Sequence, residues 1–179
     1  MLKYISLIRG INVGGKTLKM DRLKSIYESL SLHDIKTYIQ SGNVLFNSDI
    51  KNIYKIKTQL EDEINKQTNL SVSVIMRTQK DLKKILNGNP FINSGNENTE
   101  RMYVTFLENE PLKSSLKDLI PPKETHDEFK VIGKEIYLYC PEGYGRTVLS
   151  IDFFEKKLKM KATARNWRTV NKLYELSQI

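Results

Sequence analysis

The chain has 179 residues, 29 Lys plus Arg against 21 Asp plus Glu, and a formal charge of +8. A chain of this length buries roughly 70% of the surface its unfolded form exposes, enough for one good core or two small ones. A single cysteine, Cys140, excludes an internal disulfide framework and, with only His33 and His126 beside it, argues against a Cys/His metal site. No metal and no cofactor are therefore expected, and Cys140 reads as an inert thiol at a strand end.

The opening residues Met1 to Arg9 hold no apolar run longer than two, too short for a signal peptide or a membrane span. A cytoplasmic location without membrane association is expected. The positive charge suggests nucleic acid. Its distribution argues otherwise: 22 lysines against 7 arginines lie scattered among acids, with Lys156 to Lys161 the densest tract. A solvated lysine-rich helix face explains that tract.

In chain order, Lys3 to Arg9 is β-rich and is broken by Gly10, Gly14 and Gly15. Leu23, Ile26, Tyr27 and Leu30 recur with helical spacing, so a helix is predicted from Met20 to Leu30. Ile35 to Tyr38 and Val44 to Phe46 form a hairpin around Gln40-Ser41-Gly42-Asn43, where glycine and asparagine tolerate positive φ. Ile53, Ile56, Leu60 and Ile64 stripe a second helix, and Leu70 to Met76 alternates as a strand. The order βαββαβ is that of a ferredoxin-like unit. A short helix follows, with Thr78 and Asp81 as its cap, and Asn87 to Pro90 stops it.

The polar stretch 91–100 is read as a linker between a first unit, 1–90, and a second, 101–179. In the second, Met102 to Leu107 is a strand, Leu112 to Leu119 a short helix, and Phe129 to Ile132 pairs with Glu135 to Cys140 through a Gly133-Lys134 turn of type II′. Ser150 to Met160 and a segment from about Asn166 are helices. The fold class expected is α+β, two ferredoxin-like units packed together. Both faces of the first sheet are apolar, Ile5 and Leu7 on one and Tyr4 and Ile8 on the other, whereas an RNA-reading sheet leaves one aromatic face open. The second face is expected to be covered by the other unit.

Three segments differ from ordinary scaffold: Arg9 to Thr17, Thr37 to Asn43, and Ala162 to Val170. With Asn89-Pro90-Phe91, Tyr137-Leu138 and Gly143 to Arg146, they resemble a bacterial family known only as domain of unknown function 1697. The resemblance runs nearly end to end, and its longest signatures are Leu7 to Gly15 and Thr37 to Phe46. It implies a two-unit ferredoxin-like architecture and brings no activity with it.

Gly10, four residues, then Gly15-Lys16-Thr17 also fits a phosphate-cradling loop. Against it, the helix pattern starts only near Met20, no later strand ends in a metal-binding aspartate, and a βαββαβ unit lacks the parallel sheet such loops sit on. A structural glycine turn is the competing explanation. In the third segment, Thr163 or Asn166 caps the last helix beside Arg165 and Arg168, which suits an anion. An Arg165 that serves a ligand is expected to stand partly exposed, whereas Trp167 reads as a core anchor.

Nucleophile and base sets are thin. Ser41 has no glycine two residues before it and no nearby histidine, and His33 and His126 read as solvent-facing. Arg9, Asn12, Gly14, Gly15, Gln40, Asn43, Arg146 and Arg165 are the candidate ligand-binding residues, expected where the two units meet. Their expected partner is an anionic small molecule, phosphate or carboxylate, with nucleic acid as the rival.

Overall fold

A computed structural model describes residues 1–12, 17–92, 98–121 and 123–179 of the chain. Compact packing divides it into Met1–Lys83 with Leu173–Ile179 and, between them, Lys84–Lys172.

The first unit carries β1 (Leu2–Arg9), α1 (Met20–Ser29), β2 (His33–Tyr38), β3 (Asn43–Ser48), α2 (Ile53–Thr68) and β4 (Ser73–Thr78), followed by α3 (Gln79–Asn87). Its antiparallel sheet has the order β2-β3-β1-β4, the ferredoxin-like arrangement. Alternation on β1 sends Tyr4 and Ile8 toward Leu23, Ile26 and Tyr27 of α1 and Ile56, Leu60 and Ile64 of α2. Each such side chain contributes roughly 1.5–3 kcal/mol on burial. Ser6 shares this face and joins its hydroxyl to that of Tyr27 at 2.7 Å, so two buried polar groups satisfy each other. The other face is buried as well, through Ile5, Leu7, Leu45 and Ile75. Asn52 caps α2 by accepting from the amides of Tyr54 and Lys55.

The second unit repeats the plan with β5 (Met102–Leu107), α4 (Lys113–Leu116), β6 (Glu128–Ile132), β7 (Glu135–Tyr139), α5 (Ile151–Leu158) and β8 (Ala162–Asn166), and α6 (Trp167–Ser177) follows. Its sheet order, β6-β7-β5-β8, is that of the first. Leu107, Ile136 and Leu138 pack with Phe154 and Leu158 of α5. Gly133 takes φ +61°, as the first residue of a type II′ turn must.

Four expectations need correction. The segment Ala162 to Asn166 is a strand, β8, where the sequence reading saw only the approach to a helix. Thr163 is consequently not a cap; Asn166 alone holds that place, its Oδ1 accepting from the Thr169 amide at 2.8 Å. The helix expected over Leu112 to Leu119 is reduced to a single turn, α4. In the β2–β3 turn, Gly42 adopts positive φ as expected, but its partner in doing so is Ile39 at φ +48°, and Asn43 lies within β3.

Candidate functional site

The residues singled out from the sequence fall into groups with different work to do. Asn12 sits in the left-handed region at φ +56°, a conformation asparagine tolerates better than most. Its amide donates to the carbonyls of Leu18 and Gln40, and its Oδ1 accepts from the Leu18 amide at 2.7 Å. These bonds staple the loop after β1 to the β2–β3 turn. Asn43, fully buried, donates to Tyr38 O at 3.0 Å and to Ser41 Oγ at 2.8 Å, and so closes the same turn from within.

Gly42 belongs to this device too. A Cβ there would stand 2.8 Å from Ile11 Cδ1 and 3.0 Å from Ile8 Cβ, while its carbonyl accepts from the Ile8 amide at 2.8 Å. The Thr37 to Asn43 signature is thus explained by close backbone approach and turn closure. Arg9 ends β1 opposite Ser73, half-buried, and Gln40 is exposed. Gly14, Gly15 and Lys16 lie outside the described residues.

In the second unit, Arg146 is exposed and stands 3.8 Å from Glu142. Arg165 differs most from expectation: it is 8% exposed rather than partly open, because β8 carries it on the face opposite the α5 core. Its Nη1 donates to Thr163 Oγ1 at 2.8 Å and to Ala164 O at 2.7 Å. Burial pushes its pKa down to about 10, since desolvation disfavours the charged form, and at neutral pH the guanidinium remains a cation. Trp167, 7% exposed, is the core anchor expected of it.

Sequence reading missed the counterpart of Arg165. Arg77 on β4 is 4% exposed and donates from Nη1 to Met76 O at 2.8 Å, just as Arg165 does to the residue before it. The registers coincide. Arg77 pairs with Ile5, the residue after Tyr4, and Arg165 pairs with Val104, the residue after Tyr103. Each arginine precedes a helix cap: Thr78 and Asp81 bond reciprocally before α3, and Asn166 holds Thr169 before α6. The signal was present as Arg-Thr-x-x-Asp and Arg-Asn-x-x-Thr. It is invisible until β8 is recognised as a strand.

The hydroxyls repeat as well, Ser6 on β1 corresponding to Thr105 on β5, both fully buried. Cys140, just beyond β7, is buried, and its thiol is pushed up to about 11 by burial and secondarily by the Asp127 charge. A thiol so protonated is a poor nucleophile. Among the described residues no group of three His, Cys, Asp or Glu side chains could hold a metal ion, and no helix is long and apolar enough to cross a membrane.

The class defined here is an α+β protein built from two ferredoxin-like units of like register, each with a buried arginine at the junction of its last strand and the following helix. The chain belongs to the DUF1697 family, described as a protein of unknown function, whose model matches residues 1–137. Among solved structures it is similar to the conserved bacterial protein SP0830 from Streptococcus pneumoniae, with a TM-score of 0.79 and 22% identity over 100% of this chain and 99% of that one. That likeness shows the fold. No curated protein matches the chain.

Proposed function

We propose that the protein binds a small anionic ligand, a phosphate or carboxylate, with Arg165 as its principal donor. The observation that carries the reading is the placement of this guanidinium: charged at neutral pH and set immediately before a capped helix, though buried where a ligand-serving arginine was expected to be partly exposed. Burial strips a cation of hydration, and an anion returns that stabilisation through charge-assisted, forked hydrogen bonds. The helix start adds backbone N–H groups and a favourable dipole. Arg77 extends the reading to the first unit. Arg9, Gln40 and Arg146 are further donors in the proposal, and the amides of Asn12 and Asn43 hold the loop and turn in the first unit. A nucleic-acid role is less well supported, because both faces of the first sheet are buried and offer no stacking platform.

The test is thermal stabilisation by inorganic phosphate and by citrate. A ligand at a hundred times its dissociation constant stabilises by about 2.7 kcal/mol, which is several degrees for a chain of this size. Arg165→Lys keeps the charge and removes the fork, so it is expected to weaken binding about ten- to a hundredfold while the protein stays folded. No stabilisation by either anion, or an Arg165→Lys variant that binds as tightly as the parent, overturns the reading.

A further inference from the structure

Each sheet ends in two edge strands, and three of the four edges carry a device against further pairing. On β4 the Val74 amide donates to Glu61 Oε1 of α2 at 2.7 Å, and on β8 the Ala162 amide donates to Glu155 Oε1 of α5 at 2.8 Å. On β2 the register with β3 shifts between His33 and Lys36, a bulge of the kind that spoils an edge. β6 has neither a capping carboxylate nor a bulge. Its five residues pair with β7 in unbroken register, and exposed and half-buried residues alternate along it throughout.

The hairpin settles which backbone groups of β6 face outward. The Leu107 amide donates to Lys134 O at 2.8 Å, so Lys134 faces β5 and Glu135, the next residue, faces β6. Ile132, opposite Glu135, therefore exchanges both backbone hydrogen bonds with β7, and alternation gives Lys130 and Glu128 the same place. Phe129 and Val131 turn their N–H and C=O groups away from the sheet. Among the described residues these outward groups have no partner.

Side chains follow the same alternation. Phe129 and Val131 lie half-buried on the core face, with the Phe129 and Phe154 rings edge to face at 5.7 Å. Glu128, Lys130 and Ile132 stand exposed on the other face. Glu128 makes no ion pair among the described residues, and Lys130 only stands 6.0 Å from the centre of the Phe91 ring. This strand is complementary to its own reverse. In an antiparallel pair centred on Phe129, Glu128 of each copy lies opposite Lys130 of the other, and the two Phe129 residues exchange their outward hydrogen bonds. A pair centred on Lys130 would instead set like charges against each other, which is unfavourable.

We infer that β6 is an association edge for a second copy of this chain, joined antiparallel about a two-fold axis at Phe129 so that the two sheets run on as one. Five residues a side make a small interface, which places the dimer among weak, concentration-dependent ones. The inference does not rest on Arg165 or on the anion reading given for it.

Sedimentation equilibrium on the full chain, from about 10 μM to about 1 mM, is expected to show reversible exchange between monomer and dimer. Lys130→Glu and Glu128→Lys each put like charges opposite one another at two symmetric places, and each is expected to weaken the dimer about tenfold. The two variants change net charge in opposite senses, so a loss common to both is local to the strand. Combining Glu128→Lys with Lys130→Glu restores the complement and is expected to return the dimer to its parental strength. All three change exposed side chains, and unaltered melting curves confirm that the fold is kept. The inference is overturned if the parent stays monomeric at about 1 mM, if either single reversal dimerises as tightly as the parent, or if the double reversal is as weak as the singles.

Discussion

Single residues show where this sequence departs from what is locally comfortable. Ile39 is β-branched, 49% exposed, and held at φ +48°. An L-residue in that region costs roughly 1–2 kcal/mol, and β-branching makes it worse. Asparagine tolerates the conformation, and little apolar contact is lost at an exposed site. Ile39→Asn is therefore expected to stabilise the protein by about 0.5–1 kcal/mol, read as a raised urea midpoint at constant slope. Arg165 presents the opposite case. Truncation to alanine leaves the Thr163 hydroxyl and Ala164 carbonyl without this donor in a buried place, and it opens a cavity. A cost of about 2–4 kcal/mol is expected for Arg165→Ala, against less than ~0.5 kcal/mol for an uncommitted surface residue. A near-zero change in the same denaturation experiment would contradict the buried placement. The sequence could not give this burial away, because Ala-Thr-Ala-Arg-Asn has too few large apolar residues for its alternation to be seen.

Elements were legible in proportion to their apolar periodicity. α2 displays Ile56, Leu60 and Ile64 over sixteen residues and was readable at once, as was β4 through Val74 and Met76. β8 has five residues, flanked on both sides by helix signals, so its strand character comes from pairing with β5 and not from its own propensity. The same holds for the turn of α4, whose short apolar pattern ran on past the one turn that forms. Helix ends carry a testable detail. α5 begins with Ser150 accepting from the Phe153 amide and ends at Lys159 in the left-handed conformation, φ +53°. Glycine is the usual occupant of such a C-terminal position. Lys159→Gly is expected to stabilise by a few tenths to about 1 kcal/mol, measured by thermal or urea unfolding. A loss of stability would mean that the lysine side chain makes a contact worth more than the strain.

At the scale of the whole molecule, several buried acids of low intrinsic acidity govern the response to alkali. Burial pushes Tyr137 and Tyr144 up to about 12 and the Cys140 thiol up to about 11, and it raises Tyr27 further. In the unfolded chain these groups return to about 10 for tyrosine and 9 for cysteine. Above about pH 9 the unfolded chain therefore gives up protons that the folded protein retains, and stability falls as pH rises. Arg165, pushed down to about 10, works in the other direction, one group against five, since burial raises Tyr4 as well. The melting temperature is expected to be insensitive to these groups below pH 9 and to decline above it, and Cys140→Ala is expected to delay the onset. A melting temperature that is flat from pH 9 to 11 would contradict their burial. The architecture of two units was legible from the sequence, and the equality of their registers was not, since Tyr4 and Tyr103, Ser6 and Thr105, and Arg77 and Arg165 correspond in space without an alignable repeat.

Leu173–Ile179 pack with Met1–Lys83, and Gln79 Nε2 donates to Ser177 O at 2.9 Å. Synthesis delivers a chain from its N-terminus, and early domains commonly fold while later ones are still being made. Here the nascent first unit leaves the ribosome without the segment that completes its packing, which follows only after Lys84–Lys172 has been translated. Its final consolidation therefore waits until Lys84–Lys172 has been made, and during that interval the surface that Leu173–Ile179 cover stands open.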